Sequence, residues 1–322
     1  SELKMMQTRS GWRGLLVIAL TICAGFALAQ GYPVKAVRVI SSGVGGGADI
    51  AARLLAPGLS EALGQQLVID NRASGIIPGE VAARTAPDGY SLLFYNNTLW
   101  VAPLIQKTSY DAVKDFVPVT LASRSPNILV VHSALPVTSV QQLIALAKKR
   151  PGELNYATGS TGASNHIAAE LFKSMSGANI VRIPFKNGSL ESAALMSGEV
   201  QIMFGSVSMM PYVRSGRLRA LAVTSAQPSP LFPSMPTVAS AGLPGYESGS
   251  FYAMFAPAGT PVAIVSRLQR DSAQVLQVPE VRERYARAGM EAVGSTSEEL
   301  AALVRNDIAR LGKLIREAGI RE

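Results

Sequence analysis

The alternation of two kinds of segment constrains this chain most. Short apolar, often β-branched runs lie at 37–40, 67–70, 91–95, 128–131, 154–158, 180–185, 200–204, 218–224 and 250–255. Between most of them, apolar residues recur at helical spacing. Asp49 stands where a cap belongs for a helix carrying Leu54, Leu55, Leu59 and Leu63, with Gly64 as its stop and Pro57 expected to kink or split it. Ser139 opens a helix with Leu143, Ile144 and Leu146. Thr260-Pro261 opens another, and Ser295 with Glu298 reads as a capping box before the stripe Leu300, Val304, Ile308, Leu311 and Ile315. Strands alternating with helices predict an α/β fold with parallel sheets of right-handed βαβ units. Ligands of such sheets bind beyond the carboxyl ends of the strands.

Residues 1–29 read as a separate object. Lys4, Arg9 and Arg13 precede an apolar stretch, 15–27, and Ala27-Leu28-Ala29 forms a small-x-small cleavage site. This is the pattern of a secretory signal peptide, cleaved after Ala29. The apolar stretch is short for a membrane span, which needs about 20 residues. The single cysteine, Cys23, lies inside this leader, so the mature chain has no thiol for disulfides, catalysis or metal binding. A disulfide-free exported protein of this size points to a bacterial periplasm.

Of the formal charge of +8, the leader's Lys4, Arg9, Arg13 and Glu2 account for +2, leaving +6. The basic residues are dispersed, and their longest run is Lys148-Lys149-Arg150. Nucleic-acid binders cluster such charge and interleave aromatics, so no nucleic-acid partner is expected. Catalytic signatures are missing as well. The two histidines, His132 and His166, form no metal motif, and neither a nucleophile elbow nor a P-loop occurs. No cofactor or metal is expected. "GVGGGAD", with Asp70 downstream, resembles a dinucleotide fingerprint only loosely, and an exported protein has no dependable nicotinamide supply.

What remains are polar loops following strands. The stretch 43–49 is glycine-rich and opens a helix, where bare N–H groups and the helix dipole favour a small anion. Asp49 is more at home capping that helix than touching a ligand. "TGSTGASNH", 158–166, repeats the arrangement with the hydroxyls of Ser160, Thr161 and Ser164, and His166 is read as a structural residue. Asn96, Asn97 and Thr98, then Lys186 and Asn187, then Gly205 and Ser206 follow three further strands. Five such loops can converge on one cleft, and two anion-friendly loops on two lobes suggest a hinged clamp for an acid.

The motifs that order these loops are "YPVKAVRVI", "GGGADIAARLLAPGLSEALGQQLVIDNR", "GEVAARTAPDGYSLLF", "YATGSTGASNHIAAELF", "IPFKN", "GEVQIMF", "GRLRALAVTS", "PTVASAGLPGYE" and "APAGTP". In this order and spacing the chain resembles the Bug-type extracytoplasmic solute receptors of tripartite tricarboxylate transporters, over about 32–320. The resemblance implies a two-lobed type II periplasmic binding protein fold with a hinged cleft. Lobe 1 would comprise 30–127 and 249–322, and lobe 2 would comprise 128–248. It implies that one ligand carboxylate is held between Val44, Gly45, Gly46 and Asp49 on one lobe and Gly159, Ser160, Thr161, Gly162 and Ser164 on the other. Asn97, Thr98, Phe185, Lys186, Gly205 and Phe251 would read the rest of the ligand.

The chain departs from the family at the first loop, where Ser41, Ser42, Gly43 and Val44 replace a proline-rich stretch. It departs again at Asn187, Gly205 and Phe251. Losing the prolines should loosen the first loop and weaken binding. The expected protein is a monomeric periplasmic receptor, not an enzyme. It would take a small organic acid and deliver it to transporter membrane subunits or report it to a sensor. An exported hydrolase, or a receptor-like protein that acts only through protein contacts, are the alternatives.

Overall fold

The computed structural model describes residues 31–73, 75–159, 161–185 and 188–320. The leader, Ser160 and Lys186 lie outside these. The strands are β1 (Val37–Ser41), β2 (Leu67–Asn71), β3 (Ser91–Asn96), β4 (Phe116–Pro126), β5 (Ile128–His132), β6 (Asn155–Thr158), β7 (Val181–Pro184), β8 (Ile202–Gly205), β9 (Leu218–Val223), β10 (Gly249–Pro257) and β11 (Glu291–Ala292). They form two sheets, ordered β11-β4-β10-β3-β1-β2 and β7-β6-β8-β5-β9.

The sheets are mixed, not parallel throughout as the alternation suggested. β1 runs parallel to β2 and β3, and β6 runs parallel to β7 and β8. β10 is antiparallel to both β3 and β4, and β5 is antiparallel to both β8 and β9. The reason is connectivity. β5 and β10 enter their sheets directly from the other lobe, without the crossover helix that a parallel neighbour requires.

The helices are α1 (Gly47–Leu63), α2 (Ile77–Ala83), α3 (Thr98–Val101), α4 (Val140–Lys149), α5 (Ser164–Ser176), α6 (Gly188–Ser197), α7 (Met210–Arg214), α8 (Val262–Gln277), α9 (Pro279–Arg287) and α10 (Ser297–Glu317). Three local expectations fail here. Pro57 does not split α1, which runs as one helix of 17 residues; the pairing lost there is the single N–H that proline lacks. Asp49 is not the cap of α1. That position belongs to Gly46, and Asp49 sits inside the first turn. The capping box of α10 is Thr296 with Glu299, one residue later than expected. Ser295 is drawn away from the helix: its hydroxyl accepts the N–H of Leu121 on β4 at 2.9 Å.

The second sheet is buried on both faces. Along β5, Leu129 and Val131 join the core shared with the first lobe, while Ile128 and Val130 face a separate cluster with Ala157, Met203 and Val223. This is the two-residue period of a strand read out as two cores.

The chain passes between sheets at Asn127 and again near Ser248, and Thr224 joins the two passages. The N–H of Asn127 donates to Thr224 Oγ1 at 2.7 Å, and Thr224 Oγ1 lies 2.8 Å from the Ser248 carbonyl. Backbone bonds from Thr224 to Asn127 and from Ser248 to Thr224 complete the clasp. All three residues are buried.

Candidate functional site

The first glycine-rich loop leaves β1 and turns into α1. Its bareness serves the protein's own packing before any ligand. A Cβ on Gly46 would come within 2.8 Å of Ser42 Oγ, and one on Gly47 would collide with the Tyr252 hydroxyl from β10. The loop is also pinned. Asp49 accepts the N–H of Gly45 at 2.9 Å through one oxygen, and Arg53 at 2.8 Å and Asn71 at 2.7 Å through the other. Asn71 also donates to the Ser42 carbonyl at 2.7 Å, and Gly46 N–H returns to the Gly43 carbonyl. Burial pushes the Asp49 carboxyl up, but the bonds from Asn71 and Gly45 and the Arg53 charge outweigh it, and the net shift is downward. The expectation of a loose loop did not include this polar scaffold. Asp70, the other residue of the loose dinucleotide match, is spent on ion pairs with Arg38 and Arg72.

The second loop lies between β6 and α5. Arg182 on β7 gathers it from below, donating to Thr158 Oγ1 at 3.0 Å, Thr161 Oγ1 at 3.3 Å and the Gly159 carbonyl at 3.1 Å. His166, buried in the first turn of α5, accepts the N–H of Gly162 at 3.0 Å through Nδ1. Desolvation first, then the Arg182 charge, hold its imidazole down at about 4, so it is neutral at pH 7 and serves as an acceptor.

Between the two sheets these loops face one cleft of about 540 Å³. From the first lobe Gly46, Asn97 and Thr98 reach it, and from the second lobe Thr161, Gly162 and Ser164. Among the described residues no charged side chain lines it. What it offers an anion is therefore neutral donors and helix ends. The two longer helices that open on it, α1 and α5, are capped by Gly46 and Ala163, and neither has a side-chain cap. By contrast, Ser139 caps α4 and Thr296 caps α10 with side-chain oxygens. At the cleft, N-terminal N–H groups of both helices are left for a ligand.

Other expected residues go elsewhere. Val44 is 79% exposed and points to solvent. Gly45 and Asp49 belong to the scaffold just described. Phe251 is buried behind the cleft, in a crevice with Asn97 and Ser164. Its neighbour Ser250 faces the cleft instead, as strand alternation on β10 requires. Phe185 packs against the second sheet's cluster. Gly159 and Gly205 line a second chamber on the second lobe, of about 790 Å³, which shares Ala163 and Ser164 with the cleft. Tyr95 went unnoticed in the sequence; its hydroxyl clamps Gly75 at the cleft by bonds to the N–H and the carbonyl. Ile105 and Gln106 also line the cleft, just past α3, with no motif to mark them.

This architecture has relatives. The model of the tripartite tricarboxylate transporter family receptor matches residues 51–320. The chain belongs to the tripartite tricarboxylate transporter receptor family. Within it, the chain is 34% identical to protein BugT of Bordetella pertussis, over 95% of this chain and 98% of that one. Among solved structures it is similar to Rpa4515 of R. palustris with adipate, at 35% identity and a TM-score of 0.77, covering 90% of this chain and 99% of that one. It is also similar to MatC of Rhodopseudomonas palustris with bound malate, at 28% identity and a TM-score of 0.73, covering 88% and 100%. Like other receptors of this family, it is an α/β protein of two lobes of the periplasmic-binding type.

Proposed function

We propose that the chain captures a small organic carboxylate in the cleft between its two sheets and hands it to membrane subunits of a tripartite tricarboxylate transporter. One observation carries this reading: two uncapped helix N-termini, one from each lobe, face the same cleft, and no acidic side chain among the described residues lines it to repel an anion. The adipate and malate held by similar proteins support the ligand class. The chain acts as a monomeric receptor in the periplasm, reached through the leader at 1–29. It catalyses no reaction; the one histidine near the cleft is buried and engaged by Gly162. Gly46, Thr98, Thr161, Gly162 and Ser164 contact the ligand, with Asn97 beside them.

Thermal unfolding against a panel of mono-, di- and tricarboxylates tests the reading. A binding acid at a hundredfold excess over its Kd stabilises the protein by about 2.7 kcal/mol. An unchanged melting temperature across the whole panel, amino acids included, overturns it.

A further inference from the structure

Ser42 follows β1 directly, at the foot of the first loop, and is only 4% exposed. Its hydroxyl oxygen is covered and has no hydrogen-bond partner among the described residues. Its backbone is fixed, with the carbonyl accepting Asn71 Nδ2 at 2.7 Å. The residue forms part of the cleft wall beside Gly46 and Gly47. Ser42 Oγ sits against the α-carbon of Gly46, where a Cβ would come within 2.8 Å of it. Gly46 is the cap residue of α1 and brings no side chain to the helix end. The unmet hydroxyl therefore lies at the bare N-terminus of a helix of 17 residues, on the wall of the cleft.

A buried hydroxyl without a partner costs the folded chain free energy and calls for an explanation. Other buried hydroxyls in this chain are engaged. Thr120 donates to the Ser295 carbonyl, Ser176 to the Phe172 carbonyl and Thr224 to the Ser248 carbonyl. In the cleft itself, Thr161 Oγ1 accepts from Arg182 at 3.3 Å. Ser41 and Ser272 share the lack of a partner with Ser42, but neither is among the described residues that line the cleft. Ser42 alone joins the two properties: an unmet donor, and a place on the cleft wall beside a helix end that favours an anion.

We propose that Ser42 is a ligand-binding residue, whose hydroxyl donates to the carboxylate seated at the N-terminus of α1. A serine hydroxyl turns about a single bond between staggered positions. The residue is already in the wall, so its donor comes to the cleft by a change of rotamer, with the backbone held by Asn71. A hydrogen bond to an ionised carboxylate is charge-assisted and stronger than one to a neutral acceptor. The acid thus takes up a donor that the protein's own acceptors leave unmet. Ser42 adds a side-chain donor to the main-chain N–H groups of the first loop. The assignment rests on the carboxylate reading above.

Calorimetric titration of the full mature chain tests it, with acetate, butyrate, succinate, malate, glutarate, adipate, citrate and glutamate as titrants. The tightest of these acids should bind Ser42→Ala tenfold or more weakly than the parent chain. Ser42→Cys, which keeps the shape but offers a poor donor, should lose nearly as much. Ser41→Ala removes the neighbouring unmet hydroxyl and should leave the affinity unchanged. Without any acid, urea unfolding of Ser42→Ala should show a midpoint equal to or above the parent's, since the folded chain loses no bond. A lower midpoint makes Ser42 a structural residue and overturns the proposal. An affinity of Ser42→Ala within twofold of the parent's, parent affinity in Ser42→Cys, or an equal loss in Ser41→Ala also overturns it, while the carboxylate reading stands. Binding of no acid to the parent chain overturns both.

Discussion

At the scale of single residues, glycine and histidine carry the most testable content. Gly46 is bare because Ser42 occupies the space a side chain would need. Gly46→Val should therefore displace the loop at the mouth of α1 and abolish carboxylate binding, with the circular dichroism spectrum unchanged; undiminished affinity by titration would put the site elsewhere. His166 is held at about 4, below its unfolded value of 6.5, so the unfolded chain takes up a proton first as the pH falls. Its contribution to stability is complete above about pH 6.5 and is lost as the pH drops toward 4, at a slope of about 1.4 kcal/mol per pH unit. His166→Gln should flatten that stretch of the pH–stability curve, measured by urea unfolding. The sequence showed the glycines and the polar loops because those types announce themselves. It did not show Arg182, which holds the second loop from the strand β7, or Tyr95, which faces the cleft and clamps Gly75 there. Nor did it show that Asp49, Arg53 and Asn71 would pin the first loop.

At the scale of elements, the apolar period located nine of the strands and most helices within a few residues, since a strand buried on both faces leaves an unbroken apolar run. β4 escaped notice. Its Thr120, Ser123 and Ser125 spend their polarity on tertiary contacts: Thr120 Oγ1 donates to the Ser295 carbonyl at 2.8 Å, and Ser125 Oγ donates to the Gly289 carbonyl at 2.8 Å. A polar strand of this kind is invisible to periodicity. The one-residue error at the start of α10 has the same origin, with Ser295 tied to β4 and Thr296 left as the cap. Thr296→Ala should lower stability by about 1 kcal/mol in chemical denaturation. The conservative Thr296→Ser should restore most of it; equal losses in the two variants would mean that packing, not capping, is at stake.

At the scale of the whole molecule, the lobes touch across the cleft where Ile105 of the first reaches Gly162 of the second. A Cβ on Gly162 would come within 2.7 Å of Ile105 Cδ1, and the residue has φ +79°, which only glycine adopts freely. Gly162→Ala should hold the lobes apart and weaken ligand binding several-fold. Small-angle scattering with ligand at saturation reads the effect directly: the variant should keep a larger radius of gyration than the parent chain.

The position of β10 between β4 and β3 has an outcome for synthesis. All five strands of the second sheet have been made by Val223, whereas the first sheet has a gap at its centre until Pro257 is made. The later-starting lobe is thus the first that can finish, and the earlier one waits, split, until the chain returns to it. A nascent chain stalled as soon as Thr224 has cleared the exit tunnel should protect its second sheet from protease while β1–β4 are still cut.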